Sequence, residues 1–509
     1  MDYRLAKHRE RVTLVAGKVK KLARDGVKYR IYHKTTNSTR ISTRDANAII
    51  DISGLNNIIT INEHRRCALV EPNVSMDALV TATLKHGLIP AVVPEFPGIT
   101  VGGAVSGTAL ESSSFRYGHF DKAVASVEVI LGNGAIVVAS PVQNPDLFDG
   151  LAGACGTLGT CTLIEIKLIE ARKFVELKFL PVSSAAEALN TLKRYTDGVA
   201  FIDFIDAIMF GPNHGAVIIG TMTDEKKPGV PIVRFTRAHD PWFYLHSHAS
   251  IPHARHTDCE TCIYSESRPS SMSSIVTNLV PIKDYLFRYD RAAFWMGTYG
   301  RNPKTFNRIT QFLINPLMKS KALYAGLHHS GQAQSFIIQD ITLPENRAGA
   351  FLAWAHENIR IYPLWICPVR AITDDTRRSN GHRFRATEIL INVGLWGVKA
   401  IDWPGIKNID GPEAFEKFVR DNREIEKATR DLGGVKMLYA HNYYTEEQFW
   451  SMYDKEAYDE LRNKWSAGGL PSLWDKLGNP QPTYMEKSTF FKCVFKTIMK
   501  RDYVLKKGH

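Results

Sequence analysis

Short apolar runs separated by turn residues fill the first third of the chain. "AIIDIS" (48–53), "NIITI" (57–61) and "CALVEP" (67–72) are β-type runs with turn residues between them. Ser75 stands as the N-cap of a helix running to His86, where Gly87 stops it. "SVEVIL", "GNGA" and "IVVAS" predict a hairpin with Asn133-Gly134 at its tip. "GTLGTCTLIEIKLIEA" then enters a further strand through glycines. Residues 1–170 therefore predict an α+β unit of many short strands.

Beyond Ala171 the connections lengthen and aromatic residues become more frequent. "SFIIQDITL" (335–343), "YPLWICPV" (362–369) and "EILINVGLWG" (388–397) predict a second sheet within a unit spanning 171–430. Residues 246–274 read as a polar insertion or a mobile loop. The last segment, 431–509, ends in a basic tail. In "FFKCVFKTIMKR" (490–501), Phe490, Phe491, Val494, Phe495, Ile498 and Met499 share a helical face, with Lys492, Lys496 and Lys500 on another. That pattern suits a helix lying on an anionic membrane and, equally, one docked on the protein's own body. Residues 1–25 predict a basic helix with a weaker stripe, read as a solvated face.

Composition narrows the class. The 509 residues are 44% hydrophobic and 23% charged, as in a soluble protein of two or three domains. Seven cysteines, odd in number and scattered, point to a reducing compartment. The basic N-terminus lacks the apolar core of a signal peptide, and no apolar stretch is long enough to span a bilayer. The net charge of +12 suits an anionic cofactor or membrane surface. No nucleic-acid-binding signature accompanies it, so a nucleic-acid partner is not expected.

One stretch departs from this ordinary texture. "TVGGAVSGTALESSSFRYG" (100–118) consists largely of residues too small to fill a core. Glycine and serine let backbone approach a ligand closely and bond its polar edge, so this stretch is suited to line a flat ring rich in heteroatoms. Taken alone it also reads as a surface loop, because it holds no GxGxxG between a strand and a helix. The surrounding text, "LVEPNVSMDALVTATLKHGLIPAVVPEFPGITVGGAVSG…FRYGHF…NPDLFDGLAGACGTLGTCTLIEIKL", resembles the FAD-binding domain of the vanillyl-alcohol oxidase type. "TVGG…ESSS", "CGTLG", His328-His329 with Gln332, "YPLWICP" and "MLYA…EEQFW" resemble the Δ24-sterol reductase family, from about residue 10 to 465.

The resemblance implies an α+β, two-domain protein: an FAD-binding unit (PCMH type) followed by a sheet-and-helix substrate domain, with residues 431–509 returning toward the flavin. It implies non-covalent FAD, because Asn37 falls near where covalent members carry histidine. Thr35, Thr36, Asn37, Ser38 and Thr39 would receive the pyrophosphate. Gly102, Gly103, Ser106, Thr108, Ser112 and Ser113 would border the flavin. Gly156, Thr157 and Gly159 would close over the dinucleotide, with Ile164 beside its adenine end.

The implied reaction reduces the C24=C25 double bond of a sterol side chain, with NADPH as reductant. An isolated alkene has no carbonyl to polarise it, so the site needs a positioned acid, an aromatic wall and a dry trough. Glu111, Tyr439 and Tyr443 are the candidate acids; Trp365, Trp396 and Phe294-Trp295 suit the trough. Tyr289 and Arg291 read as orienting groups or as members of structural ion pairs. Glu111 also reads as a carboxylate bonding ribityl hydroxyls or backbone amides, and the aromatic residues also read as plain core. His253, His256, Cys259 and Cys262 have the ligand inventory of a zinc site, but the family needs no metal and none is expected. Two rivals stay open: a flavin oxidase or dehydrogenase of an alcohol or amine, and a sterol-binding protein without turnover. The expected location is cytoplasmic, with a peripheral place on the endoplasmic reticulum membrane left open.

Overall fold

The computed structural model describes residues 3–34, 38–40, 44–252, 275–299, 312–313, 315–330, 336–371, 388–399, 412–478 and 505–506. Helix α1 (Tyr3–Arg24) opens the chain. Strands β1 (Arg30–Tyr32) and β3 (Ile49–Asp51) pair in parallel, and β2 (Arg44–Asp45) lies between them in sequence. The first large sheet runs β4 (Ile58–Asn62), β5 (Cys67–Val70), β9 (Thr160–Glu170), β7 (Val124–Ile130), β8 (Ile136–Ala139); β6 (Leu88–Pro90) extends β9. The hairpin turns at Gly134, whose φ of 84° suits glycine. Helix α2 (Met76–Thr83) continues as a 3-10 turn to His86 and stops at Gly87 in the left-handed region.

Helix α1 corrects the expectation of a solvated face. Its residues His8, Val12, Ala16 and Val19 are buried, the last three packed with Ile50, Ile52, Leu55 and Ile130. The stripe looked weak because His8 reads as polar. Its Nδ1 lies 2.8 Å from Glu71 Oε1 and its Nε2 3.2 Å from Glu128 Oε1, so two carboxylates complete the buried face.

The second sheet is antiparallel, in the order β13 (Val276–Pro281), β10 (Phe174–Val182), β12 (His214–Thr223), β11 (Phe204–Gly211), β15 (Leu364–Arg370), β16 (Ile389–Gly397), β14 (Ile337–Pro344), β17 (Val435–Lys436). Its central strands are apolar almost throughout because both faces are covered. Helices Ala185–Thr196, Glu345–Asn358 and Pro412–Asp431 cover one face through Leu192, Phe351 and Ile425, packed on Ile205, Ala207, Val393 and Leu395. Phe204, Ile208, Trp365, Cys367 and Trp396 project the other way, into a core shared with the first sheet. Strand alternation therefore carries Asp206, two residues from both Phe204 and Ile208, and Asp340, two residues after Ile338, toward the first sheet.

Residues 437–478 run back along the N-terminal unit. The Tyr458 hydroxyl lies 2.9 Å from Thr157 Oγ1, and Arg462 Nη1 donates to the Thr157 carbonyl at 2.6 Å. At the C-terminus β18 (Leu505–Lys506) pairs in parallel with β2.

Candidate functional site

Between the two sheets lies a cavity of ≈ 290 Å³. Its floor is the glycine-rich stretch. Helix α3 (Val101–Ser106) starts at Thr100, whose Oγ1 accepts from the Gly103 amide. Gly102 lies on Pro72, where a Cβ would come within 2.8 Å of the Pro72 Cβ. A Cβ on Gly103 would meet Thr100 Oγ1 at 3.1 Å and, apart from its chain neighbours and its own helix backbone, no other atom within 4 Å. Gly102 is thus small because protein packs against it, whereas Gly103 leaves open a space that a side chain would fill. Gly159 repeats the first case, since its Cβ would strike Val129 Cγ1. Gly156 has a φ of 72°.

The ends of the cavity differ in chemistry. Arg40 and Lys476 stand at one end beside Ser38 and Gly156. Arg40 Nε donates to Ser38 Oγ at 3.0 Å and to the Tyr439 carbonyl at 3.3 Å; Lys476 Nζ donates to the Cys155 carbonyl. The opposite arm is aromatic. Phe96 lies edge-on to Phe294 (5.6 Å between centroids), Trp396 (5.9 Å) and Tyr324 (6.1 Å), and Trp365 is 5.3 Å from Phe294. Ala292, Ala293 and Phe294 take consecutive positive φ values of 67°, 44° and 65°, a costly turn that delivers Phe294 to the cavity. Trp295 stands behind this wall, its Nε1 donating to the Trp396 carbonyl.

Two buried acids on the second sheet face this region. The Tyr439 hydroxyl and Trp396 Nε1 donate to Asp340 Oδ2 at 2.5 and 3.4 Å, and Asn392 Nδ2 to Oδ1 at 3.1 Å. Burial pushes the Asp340 carboxyl up against the pull of those donors. Asp206 Oδ2 accepts from Arg288 (2.8 Å), Tyr289 (3.0 Å) and Trp365 (3.1 Å). Arg288 also reaches Ser112 Oγ at 3.2 Å, tying the two sheets together. Arg291 donates to the Arg237 and Asp240 carbonyls, and Asp290 accepts from Ser320, so no Arg291–Asp290 hydrogen bond forms.

The residues proposed from sequence divide accordingly. Ser38, Gly102, Gly103, Ser106, Thr108, Gly156, Gly159 and Tyr439 line the cavity. Thr35, Thr36, Asn37, Gln332, the His253/His256/Cys259/Cys262 set and residues 490–501 lie outside the described residues. Several expected residues stand off the wall. Glu111 is buried under the floor, its carboxylate accepting from Ser112 (2.9 Å) and Ser113. Ser112 and Ser113 serve that acid rather than the cavity. Thr39 is buried, and Thr157 bonds Ala154 and Tyr458. Ile164 is buried at the centre of β9, paired with Val70 and Val127, and is not among the residues lining the cavity. Tyr443 packs on Phe418 among the helices on the far face of the second sheet.

Sequence reasoning missed Arg40, Lys476, Asp340, Arg288 and Glu95. A lone charged residue inside an apolar strand, as in "IIQDITL", was the available signal for Asp340. Among the described residues, no group of three or more His, Cys, Asp or Glu side chains could hold a metal, and Cys67, Cys155, Cys161 and Cys367 are free. No described helix is long and apolar enough to cross a membrane.

The donor set fits a flavin dinucleotide. Paired cations suit a diphosphate, the open space over Gly103 suits the edge of a planar ring, and the aromatic arm suits an apolar reactant. Residues 12–140 match the family described as FAD binding domain. The chain is 27% identical to the human (Homo sapiens) Delta(24)-sterol reductase over 429 residues, covering 83% of this chain and 76% of the relative. The Arabidopsis thaliana Delta(24)-sterol reductase is 26% identical over 448 residues, 82% of this chain and 74% of its own. Cytokinin dehydrogenase 9 of Oryza sativa subsp. japonica is 37% identical over 130 residues, 24% of this chain and 25% of its own. Matches of 429 and 448 residues are longer than residues 1–170 and so extend into the second sheet. The chain thus carries a match to the FAD binding domain over residues 12–140 and is similar along most of its length to the Delta(24)-sterol reductases of animals and plants.

Proposed function

We propose that this protein is an FAD-dependent reductase of the side-chain double bond of sterols, with NADPH restoring the reduced cofactor. The observation that carries the reading is the two-ended cavity between the sheets: cations and small residues at one end, a five-ring aromatic wall at the other. Residues 1–170 hold the cofactor in this proposal, 171–430 frame the substrate, and 431–509 close back over the cofactor.

Reduced FAD, when bound, supplies a hydride. The chain's own residues do the rest. Arg40, Ser38 and Lys476 hold the diphosphate, and Gly102, Gly103, Ser106 and Thr108 border the ring. Phe96, Phe294, Trp365 and Trp396 form a dry trough for an alkyl side chain, and their faces favour positive charge developing on a carbon. Tyr439, fixed by Asp340, stands between the two ends. Charge on an isolated alkene develops only if a proton arrives with the hydride, so an acid on the wall is required. The sterol brings the protein to a membrane surface, where contact is peripheral.

The test is to purify the protein, record its visible spectrum and supply NADPH with a C24-unsaturated sterol under nitrogen. The expected outcome is a yellow protein, NADPH consumption and the saturated side chain by mass spectrometry. Bleached flavin that recolours in air without an alkene points instead to an oxidase. Tight sterol retention without NADPH consumption points to a binding protein.

A further inference from the structure

Glu95, in the "PEFPG" loop just before the glycine-rich stretch, lines the cavity yet is only 6% exposed. Its Oε1 has no hydrogen-bond partner. A buried carboxylate with a bare oxygen is costly when ionised and much less so as a neutral acid. Its position is also chemically apt, because the next residue, Phe96, is the hub of the aromatic wall. A proton carried on Glu95 therefore sits where an apolar chain would lie and where an aromatic face would steady positive charge.

The surroundings keep that proton in place. Glu111, Asp206, Arg288, Tyr289 and Cys367 all interact electrostatically with Glu95. Three carboxyls thus share one buried guanidinium, and Asp206 is the one bonded to it. Glu111 is supplied by two serine hydroxyls; Glu95 Oε1 has no such donor. Burial, reinforced by Glu111, holds Glu95 well above the usual carboxylate range and so favours its protonated form.

We propose that Glu95 is the acid that protonates the substrate alkene. The inference rests on the reductase reading above. The carboxyl proton passes to one alkene carbon, whose new C–H bond takes the π electron pair. The other carbon receives the hydride and its two electrons, so the alkene is reduced by two electrons and the flavin oxidised by two. The carboxylate left behind recovers a proton from solvent.

The test uses the full-length, FAD-loaded protein, reduced with dithionite under nitrogen and mixed with a C24-unsaturated sterol across pH. Flavin reoxidation and sterol product are both followed. Wild type should hold a level rate at low pH and lose tenfold per pH unit beyond one ionisation. Glu95→Gln, nearly isosteric, should cut the rate about 10²–10⁴-fold and abolish that break while retaining flavin. In ligand-free protein, the infrared carbonyl band of a buried protonated carboxyl should disappear in Glu95→Gln. A variant that keeps the wild-type rate and pH break overturns the assignment alone. A flavin-loaded wild type that reduces no alkene overturns the functional reading and this assignment with it.

Discussion

The hydroxyl of Tyr439 donates to Asp340 Oδ2 across 2.5 Å, joining the segment that follows β17 to β14 of the second sheet. Tyr439→Phe leaves that oxygen only the longer bond from Trp396. The expected loss is about 1–3 kcal/mol of stability, read from urea unfolding midpoints. Asp340 is raised in the folded state, so the stability its proton confers is present at low pH and fades as pH rises. Removing a donor to the ionised form deepens that loss, so the gap between variant and wild type should narrow as pH falls.

Arg40 and Lys476 make a separable prediction. If they hold a diphosphate, Arg40→Ala or Lys476→Ala should weaken FAD binding by about tenfold to a hundredfold, the value of one charge-assisted hydrogen bond. Riboflavin has no phosphate, so its affinity should change little. Parallel fluorescence titrations of the two ligands check this, and equal losses for both would refute a diphosphate contact.

Gly102 and Gly103 are adjacent, yet alanine should act on them differently. At Gly102 the new Cβ meets Pro72 at 2.8 Å, and overpacking should cost about 1–3 kcal/mol in any cofactor state. At Gly103 the Cβ has one close neighbour, a threonine hydroxyl. Gly103→Ala should therefore melt near wild type without flavin but purify with less of it. Thermal melts alongside absorbance ratios at 450 and 280 nm separate the two outcomes.

The clamp of His8 between Glu71 and Glu128 predicts a pH window for docking of α1. Burial alone would lower the imidazolium, but the bonds from Glu128 and Glu71 overcome it and raise His8 to about 9. Its contribution is complete below the unfolded value of 6.5 and is lost as pH rises through about 9. Both glutamates are lowered in the folded state, so their contribution holds above 4.5 and is lost as pH falls. His8→Ala leaves two carboxylates together and should cost about 3–5 kcal/mol at pH 6. The thermal midpoint of wild type should drop between pH 8 and 10, and that drop should flatten in the variant.

Much of the architecture could be read locally. Strands β4, β5, β7, β8 and β9 fall on the predicted runs, and Gly87 and Gly134 stop or turn the chain as expected. β14, β15 and β16 likewise coincide with the second set of apolar runs. Several of the small residues at 100–118 line one wall of a cavity. Side-chain roles were less legible. Glu111 and Glu95 are both acids near glycines, and no local pattern tells the one bonded by serines from the one left bare. Ile164 and Tyr443 were placed by family position, yet strand alternation and the choice of sheet face turn them into core.

What the sequence determined by itself were properties that depend on near neighbours along the chain: turn positions, strand periodicity, helix caps and the stretch too small to fill a core. Tertiary structure decided which charges meet. Arg40 faces Tyr439 and Lys476, Arg288 faces Asp206, and Glu95 faces no donor on its Oε1, across separations no window of residues spans. Burial and electrostatics depend on distance through space, and two sheets folding against each other set those distances.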